Sequence, residues 1–277
     1  MGETSENAIE LSIVLPCLNE QDTLASCIRQ AQQALREHGI QGEVLVSDNG
    51  STDQSAAIAE QCGARLLRVP RRTDGQPNGY GHGLMHGIGA AHGTYVIMGD
   101  SDESYDFSEI PRFLAKLREG YDLVQGCRLP AGGGCIQPGA MPWSHRWIGN
   151  PLFSILVRRW FGAPVTDVNC GLRAFRKSWF EAMDLRCLGM EFAAEMIIKA
   201  GLFNARVAEV PVTLRPDGRK THAPHLKTFR DGWRIQRLLF LYSPIWLFLF
   251  PGLALIILGL IGYALALPGI TLGSISF

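Results

Sequence analysis

Short apolar runs alternate with amphipathic stretches along the first 128 positions. Runs at 11–16, 43–48, 64–70, 94–100 and 121–128 read as strands. Between them, 21–39, 52–63, 78–93 and 107–120 carry helical spacing, and the first two end on Gly39 and Gly63. Strands that alternate with helices predict an α/β domain with a mostly parallel sheet and helices on both faces. After Arg128 the pattern loosens into a Gly/Pro-rich loop at 129–142, an amphipathic helix at 143–162, a helix at 190–201 and a late strand at 205–215.

The last forty positions follow a different pattern. From Leu238 to Phe277 there is no Asp, Glu, Lys, Arg or His. The apolar run at 238–267 exceeds the roughly 20 residues that a bilayer core requires, with bends expected at Pro244 and Pro251-Gly252. Ahead of it, 215–237 holds seven cations (Arg215, Arg219, Lys220, Lys227, Arg230, Arg234, Arg237) against Asp217 and Asp231. The positive-inside rule then puts the first 237 residues on the cytoplasmic side of a membrane anchor. The domain division expected is 1–214, a basic juxtamembrane segment 215–237, and a transmembrane segment 238–277. The opening "MGETSE" is polar, unlike a signal peptide, and Glu6 breaks the myristoylation pattern.

Acids and bases balance at 26 each, so no global field favours nucleic acid. Seven scattered cysteines with no Cys-x-x-Cys pair read as reduced, mostly packed thiols. His82 and His86 have the i, i+4 spacing of a zinc pair, but no third ligand accompanies them, and Gly-rich packing is the plainer use of that helix.

The candidate chemistry collects after the strands, where open α/β sheets bind ligands. Asn19 and Glu20 follow the first strand, Asp48 the second, Asp100 and Asp102 the fourth, and Arg128 the fifth. Two carboxylates at i and i+2 repel unless a cation lies between them. Hard oxygen ligands with open positions suit Mg²⁺ or Mn²⁺ and leave room for phosphate oxygens. A solvated acidic turn is the competing reading of Asp100 and Asp102. Asp48 can make a nucleoside contact while Ser51 or Thr52 caps the next helix, since the two roles use different side chains.

The motifs "SIVLPCLNEQDTL", "LVSDNGSTDQS", "GYGHGLMHGI", "YVIMGDSDESYDF", "QGCR" and "TDVNCGLRAFRK" together resemble family-two glycosyltransferases of GT-A fold, above all polyprenyl-phosphate and dolichyl-phosphate sugar synthases. The resemblance spans about residues 10 to 237. It implies nucleoside contacts from Pro16, Asn19, Glu20 and Asp48, and metal and diphosphate binding by Asp100 and Asp102. Ser104 stands where relatives often carry Gln, and Asn49 where they carry a second Asp. Arg128 and Arg146 would meet phosphate; Asp167, Arg173 and Lys177 would line the acceptor side; Arg215, Arg219 and Lys220 would embrace a lipid phosphate. The apolar tail is shorter than in relatives with two or more spans, which implies a shortened or minimal member.

The implied reaction moves a sugar from a UDP- or GDP-sugar to undecaprenyl or dolichyl phosphate with inversion. Sugar, base and any homo-oligomer stay open. A growing polysaccharide or another lipid is the alternative acceptor, although the Gln-x-x-Arg-Trp element of processive synthases is missing from "SHRW" and "VRRW". A dinucleotide oxidoreductase would need Gly-x-Gly-x-x-Gly where "CLNEQD" stands. A membrane-anchored sugar-nucleotide sensor is the non-enzymatic alternative.

Overall fold

The computed structural model describes residues 9–221 and 228–266. Lys227, the polar N-terminal stretch 1–8 and the tail 267–277, on which the sequence raised expectations, lie outside the described residues. The chain forms two compact units, Met1–Gly232 and Trp233–Phe277.

In the first unit the order is β1 (Leu11–Cys17), α1 (Leu24–Glu37), β2 (Gly42–Asp48), α2 (Ser55–Gln61), β3 (Arg65–Arg68), α3 (Tyr80–Ala90), β4 (Tyr95–Met98), α4 (Ile110–Arg118) and β5 (Leu123–Cys127). Then come β6 (Cys135–Ile136), α5 (Asn150–Phe161), β7 (Arg173–Arg176), α6 (Lys177–Ala182), α7 (Phe192–Leu202), β8 (Val207–Pro211) and β9 (Thr213–Leu214). The main sheet runs β3-β2-β1-β4-β7-β5-β8, and β6 pairs with β9 in a small second sheet. This is the α/β, mostly parallel architecture expected of a GT-A fold.

Period-two alternation drives the layering. Leu11, Ile13, Leu15 and Cys17 of β1 belong to the main core cluster, together with Leu24, Cys27, Ile28 and Ala31 of α1 and Phe113, Leu114 and Leu117 of α4. Val14 and Ser47 face the other way, onto α3, where a Cβ on Gly87 would stand 2.7 Å from the Val14 side chain. Glycine there lets the helix lie close against the sheet.

Two features depart from the sequence reading. β7 was not expected, and it runs antiparallel to both β4 and β5. It has four residues, with Arg at each end, so neither an apolar run nor alternation marks it. The expected helix at 143–162 is a π-helical turn, His145–Gly149, continued by α5.

The second unit contains most of α8 (Thr228–Tyr242), a π-helical turn at Ile245–Leu249, and α9 (Phe250–Ala266). α8 ends ahead of Pro244, as expected. Pro251-Gly252 does not break α9, because a proline in a first turn leaves no needed donor unmade. Ile245–Ala266 has mean hydropathy 2.5 over its most apolar window, none of it buried, so it is long and apolar enough to cross a membrane.

All seven cysteines are free; Cys17, Cys27, Cys127 and Cys170 are buried and Cys135 is exposed.

Candidate active site

The carboxyl ends of β1, β2 and β4 lie side by side, since Cys17 pairs with Asp48 and Val14 with Met98 in parallel register. Each strand delivers its acids to one edge. Asp48, buried at the end of β2, accepts from the Ser51 N–H at 3.0 Å. Asn19 sits in the left-handed region at φ 59° and accepts from the Thr52 N–H at 2.8 Å. Asn and Asp tolerate that conformation because their side chains hydrogen-bond locally. Pro16 stands one residue before the end of β1, and its carbonyl accepts from the Ser101 hydroxyl at 2.7 Å. Ser101 is in turn the acceptor, through its own carbonyl, for the Thr23 hydroxyl at 2.6 Å. The turn carrying Asp100 and Asp102 is thus tied to β1 and α1.

Asp100 accepts from the Tyr80 hydroxyl at 2.8 Å. Burial, reinforced by the neighbouring Asp102, pushes its carboxyl up to about 6. Asp102 accepts from both the N–H and the hydroxyl of Ser104, at 3.1 and 2.5 Å. Ser104 therefore braces Asp102. Glu103, between the acids and their brace, holds φ 63°, a strained value for that residue type.

Arg219 is the unexpected member of the site. Expected on the acceptor side, it lies among the acids. Both Glu20 oxygens accept from it, Nε and Nη2 each at 2.7 Å. Its Nη1 is 2.7 Å from Asp217 and 3.4 Å from Asp102. The strap 215–221 is sewn down beside it. The Arg215 N–H donates to the Ser104 carbonyl at 2.9 Å, and the Gly218 N–H donates to the Asp102 carbonyl at 2.9 Å. Asp22 accepts from the N–H groups of Lys220 and Thr221 at 2.9 and 3.0 Å. Arg215 pairs through its side chain with Asp106, and the Lys220 side chain is exposed. Nothing in the sequence signals contacts 199 positions apart.

Three other expected residues need correction. Asp167 is wholly buried. It forms a two-pronged pair with Arg128, Nε–Oδ2 2.7 Å and Nη2–Oδ1 2.8 Å. Arg173, also wholly buried, donates to the carbonyls of Cys170, Val168 and Ala193. It is a brace for the 168–171 loop, not an acceptor contact. Lys177 stands at the opposite edge of the sheet, because β7 runs antiparallel. Its N–H reaches the Thr94 carbonyl, and its Nζ donates to the Ala91 carbonyl at 2.7 Å.

Arg146 stands apart from the carboxylates, stacked over Trp147 at 5.2 Å, with a buried Nε that has no partner among the described residues. It borders a hollow of about 200 Å³ with Leu129, Pro130, Trp147, Ile155 and Arg158. A larger hollow, about 660 Å³, lies elsewhere, between the end of α1 and the starts of β2 and β3. Its polar residues Glu43 and Arg65 already pair with each other, so the carboxylate edge is the better candidate. His82 and His86 pack edge to face at 4.6 Å. No set of three or more metal-ligating His, Cys, Asp or Glu side chains occurs among the described residues.

A family model described as glycosyl transferase family 2 matches residues 12–184. The "Low-salt glycan biosynthesis hexosyltransferase Agl6" of Haloferax volcanii is 39% identical over all of this chain and 64% of its own length. An undecaprenyl-phosphate 4-deoxy-4-formamido-L-arabinose transferase of Klebsiella pneumoniae is 32% identical over 73% of this chain and 59% of its own. The chain thus spans about three fifths of the length of these relatives. Glucosyl-3-phosphoglycerate synthase from Mycobacterium tuberculosis, solved with Mn²⁺, UDP and glucosyl-3-phosphoglycerate, has the same fold at TM-score 0.62 and 23% identity, covering 85% of this chain and 80% of that one. With a family match across most of the ordered sheet and relatives above 30% identity, the chain belongs to glycosyl transferase family 2.

Proposed function

We propose that the protein transfers a sugar from a nucleotide-diphosphate sugar to a polyprenyl phosphate at the cytoplasmic face of a membrane, with inversion at the anomeric carbon. The observation that carries the reading is the convergence of Asp48, Asp100 and Asp102 on one sheet edge, with Arg219 and Arg128 close enough to favour the charge on Asp100. The Klebsiella relative, whose name gives undecaprenyl phosphate as its acceptor, supports the lipid.

The residues fit Mg²⁺ or Mn²⁺. Asp100 and Asp102 supply hard oxygens, Asp100 carries a charge that burial and its neighbour disfavour, and two carboxylates leave positions for diphosphate and water. A bound cation would supply charge neutralisation at the departing diphosphate. The solved Mycobacterium structure contains Mn²⁺ with UDP.

The remaining work falls to the chain itself. Asp48 and Asn19 mark the nucleoside end. The Arg219 guanidinium, held by Glu20, sets positive charge beside Asp102 where diphosphate oxygens would lie. An acceptor phosphate monoester has a second pKa of ~6 and is mostly a dianion at neutral pH. It therefore attacks without a general base. Its oxygen forms the new bond to the anomeric carbon as the bond to the diphosphate oxygen breaks, and the nucleoside diphosphate leaves with both electrons.

A lipid acceptor is favoured over a soluble one by α5 and the turn before it. Trp143, Trp147, Ile148, Leu152 and Ile155 are exposed there, and no Asp or Glu occurs from 129 to 166. Exposed aromatic and aliphatic groups beside Arg158 and Arg159 suit an anionic headgroup layer. Ile245–Ala266 supplies an anchor of membrane-spanning length.

The test is a panel of labelled UDP- and GDP-sugars offered with undecaprenyl phosphate, dolichyl phosphate and 3-phosphoglycerate, with Mg²⁺, Mn²⁺ or EDTA. Metal-dependent transfer to a polyprenyl phosphate, with inverted product, is expected. Transfer to 3-phosphoglycerate alone, or a product of retained configuration, refutes the proposal.

A further inference from the structure

Tyr80 has no place in the scheme above, yet it touches the central acid. It occupies the first turn of α3, and its hydroxyl donates to Oδ1 of Asp100 at 2.8 Å. The turn that carries it is fixed by close backbone contact. A Cβ on Gly79 would come within 2.2 Å of the Leu188 carbonyl oxygen, and one on Gly81 within 2.5 Å of the Cys187 carbonyl oxygen. The Gly81 and His82 N–H groups donate to the carbonyls of Gly189 and Leu188 at 3.2 and 3.0 Å. From the nucleoside side, the Asn49 amide donates to the Gly79 carbonyl at 3.0 Å. The phenol thus projects from an anchored turn. The second oxygen of Asp100 is confined from the opposite side. A Cβ on Gly171 would lie 2.3 Å from Oδ2, and the Gly171 N–H donates to the Tyr105 hydroxyl at 2.8 Å, which holds that strand of chain in place.

We infer that Tyr80 is a positioning residue that, with Gly171 on the other side, fixes the orientation of the Asp100 carboxylate toward a divalent cation. This rests on the metal-binding reading of Asp100 and Asp102 given above. A carboxylate aimed by a hydrogen bond loses less rotational freedom on binding a cation, and partners of this kind typically govern metal affinity by roughly 10- to 100-fold. Tyr80 touches neither nucleophile nor leaving group in this scheme, so its effect is on cation affinity first and on turnover through it.

The test is Mn²⁺ binding to the full-length protein, followed by loss of the free Mn²⁺ paramagnetic resonance signal, with and without UDP or GDP. Tyr80→Phe removes one hydroxyl and keeps the ring. Its Mn²⁺ Kd is expected to rise roughly tenfold with the thermal midpoint little changed. In an Asp100→Ala background the same substitution should add almost nothing, since its target is gone. Gly171→Ala, which presses on the other oxygen, should weaken Mn²⁺ independently and serves if Tyr80→Phe folds poorly. Unchanged Mn²⁺ affinity in both Tyr80→Phe and Gly171→Ala overturns the inference, as does an equal loss with and without the Asp100 carboxylate. If the unaltered protein itself binds no Mn²⁺ with either nucleotide, the metal reading fails and this inference falls with it.

Discussion

At the residue scale, charge placement dominates. Asp167→Ala would strand the Arg128 guanidinium in a buried site, and losing one member of such a pair costs about 3–5 kcal/mol. A large drop in thermal midpoint is expected by calorimetry, together with lost activity. Asp102→Ala, by contrast, should abolish sugar transfer by a factor on the order of 10² or more while leaving the midpoint near its original value. Glu43 gives a pH prediction. Burial opposes its charge, but the His92 N–H, the Ser12 hydroxyl and Arg65 together hold the carboxyl below its ordinary value of 4.5. A depressed carboxyl contributes stability above 4.5 that disappears as pH falls through the folded value. Glu43→Gln should therefore flatten the acid limb of a midpoint-against-pH curve, and an unaltered limb would count against the assignment. The acids were legible in the sequence because each follows a strand. Tyr80 and the true place of Arg219 were not. A hydroxyl 20 positions from its carboxylate, or a guanidinium 199 positions from its partner, leaves no periodic trace.

At the element scale, the parallel half of the sheet was readable from apolar runs alone, whereas β7 was hidden by its brevity and its terminal arginines. That single reversed strand is why Lys177 was misplaced, because reversing a strand exchanges the edge to which its end points. Arg173 was misread for another reason. A cation in a motif suggests a ligand, but carbonyl acceptors supplied by loop 168–170 and by Ala193 absorb this one internally. α5 offers its own prediction. Leu152→Asp with Ile155→Asp alters exposed positions, so folding should be spared. The KM for a polyprenyl phosphate in vesicles should rise severalfold while the KM for the sugar nucleotide holds. Equal change in both would argue that α5 does not meet lipid.

At the scale of the whole molecule, the charge-free tail was plain from composition and the mixed α/β body from the alternation of strand and helix patterns. What composition left unread is the strap at 215–221. Expected as the first part of a juxtamembrane segment, it instead packs on the first unit, over the carboxylate edge. Its root is β9, whose Thr213 pairs with Cys135 of β6. Cys135 is exposed, whereas burial holds Cys17, Cys27, Cys127 and Cys170 at about 12, out of reach of alkylating reagents at neutral pH. Cys135 is thereby an exposed attachment point for a maleimide fluorophore at the root of the segment that lies over the acids. Labelled there, with the part-exposed Cys62 and Cys187 replaced by serine, the protein would report optically, in real time, whether nucleotide sugar or lipid alters the surroundings of that strap.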